Sequence, residues 1–255
     1  MYFDTHAHYD DPQFSADRDE LLLSMKPANV GLIMNCGTDL STSRFSVELG
    51  EKYYFIYAAV GFHPEQAGEM DEAGFEAIKA MAAHSKVRAI GEIGLDYHYE
   101  DGAPASRQKE VFARQLELAK ELSLPAIVHV RDACQDALDV IAAHPGVTGV
   151  LHCFGESWET ARFLLDRGWY LSFTGSVTFK NAKRAPITAE KMPLDRMMLE
   201  TDSPYMSPVP LRGKRNDSRN VRHICDFIAA LRGMSAIELE EMTYNNGKRF
   251  FGIEP

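Results

Sequence analysis

The sequence predicts an α/β chain folded as a single (β/α)8 barrel of the TIM type. Three observations predict it. Eight short apolar runs rich in β-branched residues recur along the 255 residues, with turns and amphipathic stretches between them. Several runs, such as Ala126-Ile127-Val128 and Gly149-Val150-Leu151, are apolar throughout rather than alternating, as strands buried on both faces are. No G-x-G-x-x-G occurs, which weakens the rival, an open doubly wound sheet. No linker, composition break or low-complexity tract divides the chain, so residues 1–255 read as one domain.

In chain order the predicted strands are Tyr2–His8, Gly31–Asn35, Phe55–Val60, Val87–Ile93, Ala126–Val130, Gly149–Cys153, Tyr170–Phe173 and Met197–Glu200. The clearest helix runs from Pro104 to Leu122: Val111, Leu116, Leu118, Ala119 and Leu122 give an apolar face, with Lys109, Glu110, Arg114, Glu117 and Lys120 outside it. Ala133–Ala143, Ser157–Arg167 and Val221–Leu231 follow the same pattern, and Ile237–Met242 begins a closing helix, with Phe250-Phe251 docking on the core. Ser157 and Ser235 are expected N-caps, and Glu238 completes a capping-box pattern with Ser235.

Composition narrows the class. With 45% hydrophobic and 25% charged residues the chain is an ordinary globular protein, not a disordered one. No apolar run approaches the ~18 residues of a membrane span, and no signal peptide is visible. Cys36, Cys134, Cys153 and Cys225 form no C-x-x-C pair, so they read as free thiols in a reducing compartment, and the expected location is the cytoplasm. A net charge of −10 excludes a protein that coats nucleic acid by bulk electrostatics, though not an enzyme with a local basic patch. Nothing points to an obligate protein partner.

The chemistry lies at the strand ends, which a barrel gathers on one face. Strand one ends in His6-Ala7-His8, and residues at i and i+2 of a strand share a face. Two buried imidazoles need partners, and a metal ion satisfies both. Glu92 sits inside the apolar run Ala89-Ile90-Gly91-Glu92-Ile93, where a carboxylate is rare unless paired or coordinating; its flanking glycines read as room for a ligand. His129 and His152 interrupt two further apolar strands, and Asp202 follows Met197-Met198-Leu199. Four imidazoles and two carboxylates exceed what one tetrahedral ion needs. With Glu92 bridging, they divide between two divalent ions: His6, His8 and Asp202 around one, His129 and His152 around the other. The mixed nitrogen and oxygen set suits Zn or Mn, with Mg possible where substrate phosphate completes its shell.

Together, Phe3-Asp4-Thr5-His6-Ala7-His8, Gly61-Phe62-His63-Pro64, Gly91-Glu92-Ile93-Gly94-Leu95-Asp96-Tyr97, Pro125–Arg131, Leu151-His152-Cys153-Phe154, Glu200-Thr201-Asp202-Ser203-Pro204-Tyr205 and Arg212-Gly213-Lys214-Arg215-Asn216 resemble the TatD family of metal-dependent hydrolases, in the amidohydrolase-like superfamily. They occur in family order across Met1–Gly252. The resemblance implies a distorted barrel, a two-metal site built from the six residues above, His63 near the substrate phosphate, and deoxyribonuclease activity of the 3′→5′ exonuclease type. The family usually continues Asn-Glu-Pro after the basic run, whereas this chain has Asn216-Asp217-Ser218, so the shape of that loop departs from the pattern.

The expected reaction is phosphodiester hydrolysis by a hydroxide that two metal ions generate from water. Glu92, Asp202 and His63 are the expected catalytic residues: Asp202 orients the water and takes its proton, while His63 neutralises charge on the phosphoryl oxygens or protonates the leaving oxygen. Five cations against one acid between Leu211 and Arg222 make a basic rim. From it Arg212, Lys214 and Arg215, with Arg131 and His63, are expected to bind substrate, DNA rather than RNA. Asp96 is expected to orient a histidine ligand. Two other functions fit the same residues: hydrolysis of an ester or amide, including an aminoacyl-RNA ester, and a non-enzymatic barrel scaffold. The native metal, and exo- against endonucleolytic cleavage, stay open. His84, His144 and His223 read as surface residues on helices, and Trp158 and Trp169 as packing.

Overall fold

The computed structural model of the chain describes residues 1–99 and 101–253. Its fold class is the (β/α)8 barrel, with eight strands in chain order across the sheet. They are β1 (Tyr2–Ala7), β2 (Val30–Cys36), β3 (Ile56–Val60), β4 (Val87–Asp96), β5 (Ala126–Arg131), β6 (Gly149–Leu151), β7 (Tyr170–Phe173) and β8 (Met197–Leu199). The helices are α1 (Arg18–Leu23), α2 (Leu40–Lys52), α3 (Glu72–Ala82), α4 (Ala105–Leu122), α5 (Cys134–Ala143), α6 (Trp158–Leu165), α7 (Arg184–Lys191), α8 (Val221–Arg232) and α9 (Ala236–Phe250). Among the described residues no helix is long and apolar enough to cross a membrane.

The chain divides into two compact units, residues 1–35 with 152–255, and residues 36–151. In the first, β1 pairs with β2 and β7 with β8, all parallel. A bridge between Ala7 and Ser203 joins the end of β1 to the loop after β8, supported by Thr5 Oγ1 donating to the Leu199 carbonyl. Helix α9 covers this seam: Phe251 and Tyr244 pack on Phe3, and Phe250 on Tyr170. Gly247 is required there, because a Cβ would stand 2.6 Å from the Phe3 ring. Asn246, buried in α9, donates to the carbonyls of Leu194 and Met197 and so fixes the start of β8.

In the second unit β3, β4, β5 and β6 pair in sequence, all parallel. Gly91 and Gly94 on β4 serve the backbone rather than a ligand, contrary to the sequence expectation. A Cβ on Gly91 would lie 2.8 Å from the Ile127 Cβ, and one on Gly94, at φ +140°, would lie 2.0 Å from the His129 carbonyl oxygen. They let β4 press against β5 on both sides of Glu92.

Apolar periodicity finds α4, α5, α6, α8 and the start of α9 but passes over α1, α2, α3 and α7. Helix α2 shows why. Of its buried residues only Leu49 is oily; Ser43, Ser46 and Gly50 are small or polar. Ser43 exchanges hydrogen bonds with the Gly61 backbone instead. Ser157 caps α6 by accepting from Thr160 N. Ser235 caps α9 by accepting from Ile237 N; a reciprocal capping box occurs instead at α2, between Asp39 and Thr42.

Candidate metal centre

The first unit carries His6, His8, His152 and Asp202. The Nε2 atoms of His6 and His8 are 3.0 Å apart. Asp202 Oδ1 is 3.8 Å from the first and 3.5 Å from the second. The His152 ring stacks on His6 with centroids 4.0 Å apart, and the donor atoms of His6, His152 and Asp202 all lie within 4.8 Å of one another. Two Nε2 atoms 3.0 Å apart have room for at most one proton between them, whereas a cation takes both lone pairs. This donor set therefore fits a divalent ion.

Asp202 is held there by its neighbours. It adopts φ 57°, a left-handed conformation that aspartate tolerates better than most residues, and its N–H donates to the His6 carbonyl. Thr201, just before it, donates its N–H and hydroxyl to the two oxygens of buried Asp4. Burial pushes the Asp4 carboxyl up to about 7, against the bonds from Ser218 and Thr201. Burial also opposes ionisation of Asp202, but the His8 bond and the charges of His6, His152 and His8 outweigh it, holding the carboxyl below its ordinary range. At neutral pH Asp202 is a carboxylate. His152 Nδ1 lies 3.3 Å from Glu200 Oε1, and Glu200 is itself fixed by the Cys153 N–H and the Ser172 hydroxyl.

The second unit carries Glu92, His129 and His63, whose donor atoms also lie within 4.8 Å of one another. His129 stands between two carboxylates: Nδ1 is 3.1 Å from Glu92 Oε1 and Nε2 is 3.0 Å from Asp96 Oδ2. Burial opposes ionisation of Asp96, yet the bonds from His129 and the His98 N–H bring its carboxyl below the ordinary range. Asp96 thus fixes one ring nitrogen and leaves the other turned to Glu92, the arrangement by which a carboxylate orients a metal-binding imidazole. His63 Nδ1 accepts the Glu65 N–H, which puts the proton of the neutral ring on Nε2, 3.7 Å from Glu92 Oε1.

Backbone and α4 set these positions. The Glu92 N–H donates to the Gly37 carbonyl and the His63 N–H to that of Thr38. Gln115 makes two hydrogen bonds with the Phe62 backbone, and Gln108 two with that of Asp96. The glutamines are two turns apart on the buried face of α4.

The six expected metal donors and His63 fall in these two groups, and His152, which the sequence reading assigns with His129, stands beside His6 and Asp202. Of the expected substrate cations, Arg131 ends β5 and Arg212, Lys214 and Arg215 lie on the loop before α8. Arg131 is exposed two residues past His129, with its guanidinium 5.4 Å from the Tyr99 ring centroid. Arg212 lies 3.7 Å over the Phe179 ring, and Lys214 is exposed. Arg215 is already engaged: Nη1 and Nη2 donate to the two oxygens of Asp17 at 2.7 and 2.6 Å. Arg219 is paired with Asp217 in the same way. Sequence reasoning missed Glu200, Gln108 and Gln115 as positioning residues. Glu200 carried a signal, an acid ending an apolar strand; the glutamines carried none beyond a polar residue on an apolar helix face.

The sequence profile of the TatD related DNase family matches residues 3–252. The "Uncharacterized metal-dependent hydrolase YabD" of Bacillus subtilis is 44% identical over 255 residues, covering 99% of this chain and 100% of that protein. The "3'-5' ssDNA/RNA exonuclease TatD" of Cronobacter sakazakii is 33% identical, covering 98% of this chain and 97% of its own. Among solved structures, the Escherichia coli TatD homologue YJJV superposes with a TM-score of 0.93 at 30% identity, covering 99% of this chain and 98% of that one.

Proposed function

The chain belongs to the TatD family of metal-dependent hydrolases, and from that premise we propose that it is a phosphodiesterase that removes nucleotides from the 3′ end of DNA. The observation that carries the reading is His129 fixed by Asp96 on one nitrogen and turned to Glu92 on the other, a ligand held ready for a cation. Nuclease rather than general hydrolase activity is supported by the relative named as an exonuclease and by exposed Arg131, Arg212 and Lys214 on a chain of net charge −10.

Six residues would hold two divalent ions: His6, His8 and Asp202 one, His129 and His152 the other, with Glu92 common to both. Zn, Mn or Mg bound there would acidify a water and neutralise developing phosphoryl charge. The chain's own groups do the rest. Asp202, kept ionised by its imidazoles, orients the attacking water and accepts its proton. His63 presents Nε2–H to a phosphoryl oxygen, its tautomer fixed by the Glu65 N–H. Arg131, Arg212 and Lys214 take the flanking phosphates as charge-assisted donors. Arg215 joins them only by exchanging Asp17 for a phosphate.

The test is hydrolysis of a single-stranded oligonucleotide in excess chelator, then after adding back Mn, Zn or Mg, beside a panel of carboxylic esters and amides. Chelation is expected to stop cleavage and add-back to restore it, with a blocked 3′ end resistant. Undiminished cleavage in chelator, or turnover of the esters with the oligonucleotide untouched, overturns the proposal.

A further inference from the structure

Tyr99 follows β4 by three residues, and 48% of its surface is exposed. Single exposed aromatic rings are common and need no explanation. This one is held from two sides. The Arg131 guanidinium lies 5.4 Å from its ring centroid, and Arg131 Nη1 donates to the Tyr99 hydroxyl at 3.4 Å. The His98 ring meets it edge-on, with centroids 5.1 Å apart and planes at 86°. His98 is anchored in turn through Nδ1, 3.0 Å from Asp132 Oδ2.

The anchors stand at and just past the ends of β4 and β5, the strands that bear Glu92 and His129. Arg131 and His129 are two residues apart on β5, and β4 and β5 align Asp96 with Arg131 and Gly94 with His129. The Tyr97 N–H donates to the Arg131 carbonyl, which fixes the start of the Tyr99 loop against the end of β5. The ring thus follows β4 directly, and the cation over it and the Glu92–His129–Asp96 group lie on β4 and β5.

We propose that Tyr99 is a stacking platform for an unpaired base of the substrate, with Arg131 taking the adjoining phosphate; this rests on the nuclease reading above. A ring can stack on a base only where the base offers a free face, so the platform selects single strands or frayed 3′ ends over closed duplex. Every base has such a face, so it confers little base preference.

The experiment measures kcat/KM with metal-loaded protein on a single-stranded oligonucleotide and on the same strand carrying abasic sites in its last 3′ nucleotides. Tyr99→Ala is expected to lose roughly tenfold on the base-bearing strand, chiefly through KM, and Tyr99→Trp to retain the rate within about twofold. On the abasic strand all three proteins are expected to run alike, at the rate of Tyr99→Ala. A Tyr99→Ala protein as fast as the parent on the base-bearing strand, or a loss that persists undiminished on the abasic strand, overturns the platform and leaves the nuclease reading standing. Failure of the parent protein to cleave either strand overturns the nuclease reading and the platform with it.

Discussion

His129 and His152 each have a carboxylate oxygen within 3.3 Å of a ring nitrogen. Asp96 is hydrogen-bonded to His129 Nε2 at 3.0 Å and sets that ring's orientation, leaving Nδ1 turned to Glu92, while Glu200 places a carboxylate oxygen 3.3 Å from His152 Nδ1. Replacing Asp96 with Asn removes that charge but not the side-chain volume. Turnover is expected to fall about 10–100-fold, with metal affinity falling in step, in paired kinetic and metal titrations. Asp202→Asn should behave differently. The imidazoles around it remain, so much of the bound metal is expected to stay, while the proton acceptor is lost and kcat drops about a hundredfold or more. Undiminished kcat in the Asp202→Asn protein would remove Asp202 from the proposed proton transfer. The six proposed metal donors stand out in the sequence because each is chemically out of place: a His or Glu within an apolar run, or an acid at its end. Gln108 and Gln115 were not legible, because their role is to bond the Asp96 and Phe62 backbones, which periodicity along α4 does not reveal.

At the level of elements, the turn between β2 and α2 does two things at once. Its Gly37 and Thr38 carbonyls receive the N–H groups of Glu92 and His63, while Asp39 caps α2 in a reciprocal box with Thr42. Asp39→Ala is expected to cost about 1 kcal/mol in denaturant unfolding at neutral pH. Partial burial opposes ionisation of Asp39, but the Thr42 and Ser41 bonds prevail, and its carboxyl sits below the ordinary range. A folded-state pKa that is depressed contributes stability fully present above the unfolded carboxyl's pKa of about 3.9 and lost as the pH falls through the folded value. The gap between the parent and Asp39→Ala should therefore hold from pH 7 to about pH 5 and narrow below about pH 4. A gap that widened with acid would contradict the account. Helix α2 itself escaped sequence reading because Ser43, Ser46 and Gly50 make close contact do what apolar bulk does elsewhere.

On the scale of the whole molecule, the barrel was legible from repetition alone: eight apolar runs separated by turns leave few topologies, and a chain-ordered parallel sheet is one of them. The engaged state of the basic loop was not legible, because Asp17 is 198 residues from Arg215 and only folding brings them together. A net charge of −10 with exposed Arg131, Arg212 and Lys214 is a general repulsion of polyanions relieved locally. The salt dependence of cleavage should accordingly be shallow, reflecting few phosphate contacts. The most direct measurement is the metal content of dialysed Glu92→Ala beside the parent protein. The account predicts about two ions per parent chain and close to none in the variant, since Glu92 would serve both proposed positions. A variant that keeps the parent's full complement would contradict it.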